Sequence, residues 1–264
     1  MNRYLGPNPE LTIQQIRDEE PYCFNFAEEV ANYLSNLIFE VKLHKGDLRQ
    51  FLIALLFRRV ASAFDAVMLM AERGMYTEGL TARRSLLEAI FVLGAICNKP
   101  ELVQVYLHND QHRLRDFLKH IKKAKPAIQT ALAPELDSKA VDAQIAQLHA
   151  STIHHPYMST ESYAMAAQLH DYYLDYSILS AATHHVAKDV ERQIAVDSNG
   201  EVNGIYWGPE GKPASALLTP AIDHVLLAAR LTENAFGLEK SEQLTKLTEE
   251  ADKLFESYEK LGSS

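Results

Sequence analysis

Three groups of residues in this sequence carry side chains suited to chemistry. The first is Arg84 and Glu88 in TARRSLLEAIF, four residues apart and so on one face of a helix. A guanidinium presents a rigid fork of donors, so the pair reads as an ion pair tying two helices or as a clamp for an anion or substrate. The second is YYLDYSILSAATHH, Tyr172 to His185. On a helix Tyr172, Tyr176, Ser180 and His184 form one stripe, able to make a hydrogen-bond chain that ends in an imidazole titrating near neutral pH. His185 lies about 100° further round and is not part of it. The third is HRLRDFLKHIKKAK, His112 to Lys125, the most basic segment of the chain. An arginine and a histidine such as Arg115 and His120, paired across a dimer, can activate a ribose 2′-hydroxyl and hold phosphorane charge without a metal. The surrounding Lys and Arg would hold the RNA backbone; a solvated basic face is the plainer reading of the same segment.

The histidines are the residues of this sequence that could support metal chemistry. His108, His112, Asp116 and His120 recur every fourth residue, and His149, His154, His155 and His170 add to them. No Glu-x-x-His pair accompanies them and nothing fixes a third ligand, so neither metal nor cofactor is expected. The sequence also lacks a phosphate-binding Gly-rich loop, a G-x-S-x-G nucleophile turn and an H-E-x-x-H pair.

Two resemblances follow from these motifs. Arg84-x-x-x-Glu88 with Tyr176-x-x-Leu179-Ser180-x-x-x-His184 resembles an uncharacterised bacterial all-helical family, a domain of unknown function, over roughly Leu48 to Phe236. The resemblance implies that Arg84, Glu88, Tyr176, Ser180 and His184 share one cluster, and it implies no activity. Arg115 to His120, read as Arg-polar-x-x-x-His, resembles the motif of the HEPN ribonucleases, metal-independent enzymes built on small helical bundles. That motif usually sits near a helix start, whereas Arg115 falls in mid-helix.

The elements that must position these residues are helical. Leu48, Phe51, Leu52, Leu55, Leu56, Val60, Phe64, Val67, Met68 and Met70 predict a long helix over Asp47 to Arg73, stopped by Gly74. The next, Tyr76 to Cys97, is apolar on most sides after Leu86, the mark of a central helix. Asn98 and Pro100 read as the cap and first turn of a helix reaching Lys123, with Pro126 ending it. In the tyrosine-rich helix Tyr173, Leu174, Ile178, Ala181 and Ala182 are expected to face the core. Ile194 and Val196, the SNGE turn and Val202 with Ile205 to Trp207 predict a hairpin within 193–208. Thr219-Pro220 reads as a cap and first turn, Gly237 as a stop, and a charged helix over about 241–261 closes the chain.

The composition bounds the rest. With 264 residues, 47% hydrophobic and 23% charged, the chain is an ordinary globular one, read as a single domain over 1–264 with its core over about 25–236. A net charge of −9 and a pI near 5.7 argue against a whole-surface binder of nucleic acid or of an anionic membrane, and no DNA-binding signature is present. Two separated cysteines fit a reducing cytoplasm, and no apolar run reaches membrane-span length. The expectation is an all-α bundle with a small β-hairpin insert, bacterial in style. It is dimeric through leftover apolar stripes, with the final helix peripheral or at that interface. Its function is read as a metal-independent RNA-binding or RNA-cleaving protein of defence or toxin type, using Arg115 and His120 within 113–125. The alternative is a non-enzymatic interaction or small-ligand module around Arg84, Glu88, Tyr176, Ser180 and His184.

Overall fold

The computed structural model describes residues 8–132, 138–153, 156–183, 194–205, 208–238 and 242–262. Among them are eleven helices and one two-stranded hairpin, so the fold is all-α with a small β-hairpin. In chain order the helices are α1 (Pro9–Glu19), α2 (Pro21–Glu40), α3 (Leu48–Ala71), α4 (Tyr76–Asn98), α5 (Leu102–Lys123) and α6 (Pro126–Leu132). They continue with α7 (Ser138–Thr152), α8 (Thr160–Ala167), α9 (His170–Thr183), α10 (Ser215–Phe236) and α11 (Glu242–Gly262). The hairpin pairs β1 (Ile194–Val196) with β2 (Val202–Ile205). Asp197 Oδ1 accepts from the amides of Asn199 and Glu201, and Gly200 takes the left-handed conformation that the turn requires. Tyr206 and Trp207 lie outside the described residues.

α4 is the axis of the bundle, packed against α3, α8, α9 and α10. Leu86, Leu87, Ile90, Phe91, Leu93 and Ile96 are all fully buried, so its second half is wrapped on most sides, with Glu88 and Val92 left on the side that faces a cleft. Gly94 lets α8 come close: a Cβ there would sit 2.9 Å from the Ala167 Cβ. α3 starts at Asp47, whose carboxylate accepts from Gln50 N, and buries Leu52, Leu56, Val60, Phe64 and Val67. Of the other apolar residues of its periodic run, Met68 and Met70 are half-buried and Leu48, Phe51 and Leu55 are exposed.

Several boundaries differ from expectation, each for a local reason. Asn98 is the last residue of α4 rather than a cap for α5, and its side chain donates to the carbonyls of Ala166 and Ala167, tying α4 to the end of α8. α5 does end at Lys123 as expected, but Pro126 also opens α6, a first-turn position where its missing N–H costs nothing. α10 begins at Ser215, so Pro220 lies inside it. The Glu20 carboxylate accepts from the amides of Ala214 and Ser215, an N-terminal cap supplied from a distant part of the chain. The stripe of α11 is covered within the chain: Leu244, Leu247, Ala251 and Leu254 are buried and the helix packs on α10. No described helix is long and apolar enough to cross a membrane.

Candidate functional site

α8 and α9 meet at Gln168, a non-glycine residue in the left-handed conformation, with its amide capping the carbonyls of Ala164 and Met165. The corner lays α9 along α4. The buried face of α9 is not the expected one. Leu174 and Ile178 are 66% and 70% exposed, whereas Tyr176 is 8% and Leu179 1% exposed. The polar residues turn inward because α4 offers them partners.

Two adjacent pairs of residues make the contact. Arg84 Nη2 lies 3.1 Å from the Tyr176 hydroxyl and 3.0 Å from Glu88 Oε1, and the hydroxyl donates to the same Oε1 at 3.0 Å. The guanidinium also stands 5.3 Å from the centre of the Tyr176 ring, a cation–π contact. The ring is held in turn by the edge of Phe91 and by stacking on Tyr173. One residue earlier on each helix, Arg83 Nη2 donates to both oxygens of Asp175, at 2.6 and 2.8 Å. His224 of α10 adds its Nε2 at 3.3 Å from Asp175 Oδ2. Arg83 and His224 are almost wholly buried, and the Tyr172 ring packs edge-on to the imidazole. Burial pushes the Asp175 carboxyl up, but the hydrogen bond from His224 and the Arg83 charge outweigh it and hold the group below the usual carboxylate range. Tyr172 is driven far up by burial and by the neighbouring Asp223.

Of the five residues expected to cluster, the structure brings Arg84, Glu88 and Tyr176 together. Ser180 follows one turn later on α9, half-buried, and His184 lies outside the described residues. Arg83, Asp175 and His224 were missed. Asp175 did carry a signal, as a lone charge in the middle of an aromatic and aliphatic helix, where ionised groups need a partner.

A cleft of about 380 Å³ opens beside the cluster, between α4, α5 and the segment that leads into α8. Glu88 is the one expected residue on its wall; the others include Tyr106, Asp110, Arg113, Tyr157 and Tyr163. Both bonds to Glu88 fall on Oε1, so Oε2 takes no hydrogen bond from the described residues. Buried Asn109 fixes the far wall: its Nδ2 donates to Met158 O at 2.7 Å and to the Tyr163 hydroxyl at 3.2 Å, while its Oδ1 accepts from Met158 N at 2.9 Å. The Tyr157 hydroxyl beside Arg113, with Tyr106 and Asp110 nearby, raises the pKa of the guanidinium. Burial, with Tyr106 and Tyr157 nearby, pushes the Tyr163 hydroxyl up to about 12.

Arg115 and His120 are not brought together. Five residues apart on one helix, they point about 140° from each other. Arg115 donates to Asp116 Oδ1 and to Thr152 Oγ1, against α7. His120 Nδ1 lies 2.7 Å from the Asp116 carbonyl of its own helix, and His108 turns back on the Gln104 carbonyl in the same way. Among the described residues no three His, Cys, Asp or Glu side chains stand close enough to hold a metal.

Residues 50–202 match a family described as a family of unknown function (DUF5677). The span holds every wall residue of the cleft and both paired contacts of α4 with α9, but not His224. No curated protein and no solved structure matches the chain.

Proposed function

Since the chain belongs to this family of unknown function, we propose its role from the cleft: a non-enzymatic module that binds a small amphipathic ligand carrying a protonated amine. The observation that supports it is the position of Glu88. Arg84 and Tyr176 fix one carboxylate oxygen, and the side chain lines the cleft with the other uncommitted. A carboxylate held in this way is a preorganised acceptor. Asp110 adds a second negative group, and Tyr106, Tyr157 and Tyr163 supply ring faces of the kind that attract cations. The one guanidinium on the wall, Arg113, stands beside the Tyr157 phenol and Asp110. Val92, Leu107 and Met158 give an apolar body somewhere to pack, and the volume is that of a small-molecule site.

The RNA-cleaving reading has less behind it, because Arg115 is committed to Asp116 and Thr152 and stands on a different side of the helix from His120. The same proposal places the protein in the cytoplasm, with free cysteines whose thiols burial pushes up, Cys23 to about 12 and Cys97 to about 11. Calorimetry with phenethylamine, its quaternary ammonium analogue and phenylacetate tests the ligand class. The amines are expected to bind, phenylacetate is not, and Glu88→Gln is expected to weaken the amines at least tenfold. Absence of amine binding, or equal binding of phenylacetate, overturns the reading.

A further inference from the structure

We propose that α3 is a self-association surface, on which a second copy of this chain docks its own α3 antiparallel around a two-fold axis at Ser62. The outer face of α3 carries apolar residues in its centre line, Phe51, Leu55 and Leu69 being 49%, 46% and 49% exposed, with exposed Arg58 and Asp65 on one flank and Arg59 on the other. Isolated exposed leucines need no explanation, but these fall in one stripe. At about 100° per residue, Leu55 and Leu69 lie within about 20° of the direction of Ser62, one on either side.

The choice of partner comes from charge. Arg58 and Asp65 flank the stripe on the same side, at about 40° and 60° from Ser62. They are two turns apart, about 10.5 Å along the axis, too far to pair with each other. Neither is hydrogen-bonded or ion-paired among the described residues, and burial alone pushes the Asp65 carboxyl up with no cation to oppose it. Reversing a second α3 about Ser62 supplies both missing partners. Arg58 then comes within about 1.5 Å of the axial level of Asp65 in the second copy, on the same side of the pair, and the exchange occurs twice. The same operation sets Leu55 against Leu69. Ser62 meets itself, and its small side chain, with Ala66 one turn on, permits close approach. A self-complementary pattern of apolar residues and opposite charges is what an isologous contact needs, and a partner with a different sequence would have no reason to share its symmetry.

Sedimentation and light scattering of the full chain test this. The wild type is expected to be a dimer at tens of micromolar. Asp65→Arg is expected to raise the dissociation constant at least tenfold, and Arg58→Asp combined with Asp65→Arg to restore it. Both positions are exposed, so unchanged circular dichroism separates loss of contact from loss of fold. A second variant reads the axis. Helices packed at about 8–10 Å bring facing Cα atoms, each about 2.3 Å off its axis, to within disulfide reach, so Ser62→Cys is expected to crosslink to itself on mild oxidation. Cys23 and Cys97 offer little competing thiolate. A monomeric wild type overturns the proposal. So does a dimer indifferent to Asp65→Arg, or one that persists without the Ser62→Cys crosslink.

Discussion

Replacing Asp175 by alanine removes the one carboxylate that faces both Arg83 and His224. No second anion pairs with Arg83 among the described residues, and at 6% exposure it reaches little water. Breaking a buried ion pair from one side costs about 3–5 kcal/mol, because the surviving charge is left uncompensated. Asp175 keeps 28% of its side chain in solvent, which screens the pair and brings the cost to the bottom of that range or just below it, about 2–3 kcal/mol. For a chain of this size each kcal/mol moves the melting temperature by about 2–4 °C, which makes the expected loss about 4–12 °C. Thermal melts followed by circular dichroism at pH 7 measure it. The sign of the pH dependence follows from the depressed Asp175 pKa. Its contribution is fully present above the unfolded value of about 3.9 and is lost as pH falls through the lower folded value. The gap between wild type and Asp175→Ala is therefore expected to hold from pH 7 to about 5 and to close below about 4. Arg83→Met with Asp175→Leu, which removes both charges, is expected to recover most of the loss. A change below 1 °C in the single variant, or a double variant no more stable than the single one, refutes the account.

Asn109→Ala unpins residue 158 and leaves its backbone amide without the Oδ1 acceptor, so amide exchange at Met158 is expected to quicken at least tenfold; unchanged protection there counts against the pinning role. Gly94→Ala sets a Cβ 2.9 Å from that of Ala167 and is expected to cost about 1–3 kcal/mol in urea unfolding, by forcing α4 and α8 apart. An unaltered midpoint would mean that the helices yield freely. Incubation of mixed RNA with the wild type and with His120→Ala is expected to leave it intact in both; cleavage by the wild type that His120→Ala abolishes would reinstate Arg115 and His120 as the site.

Much of the scaffold was legible because its signals are local. The apolar periods of α3 and α4 and the SNGE turn each need only neighbouring residues. Arg84 with Glu88 was legible as a pair from spacing on one helix, and only the family resemblance implied that Tyr176 joins them. The orientation of α9 was not, because its apolar residues do not form one face: Leu174 and Ile178 would bury more oil, yet Asp175 and Tyr176 are the residues turned to α4. What decides it is a pair of arginines 92 positions away in sequence, which no local pattern encodes. The same holds for the cleft, where Asn109 fixes a segment 49 residues further on. Pro220 misled for a related reason: a distant carboxylate, Glu20, caps α10 and lets it begin one turn earlier than its own sequence suggests.

The paired contacts of α4 with α9 have a consequence for mechanics. Arg83 meets Asp175 and Arg84 meets Tyr176, consecutive residues on both helices. Turning α9 by one residue, about 100°, would set Leu174 or Tyr176 against the buried Arg83 guanidinium and Asp175 or Ser177 against Arg84, losing both contacts at once. Sliding without turning is blocked in the same way. The two helices thus mesh like keyed gears, with a single permitted phase. That phase sets the angle at which Glu88 is presented to the cleft.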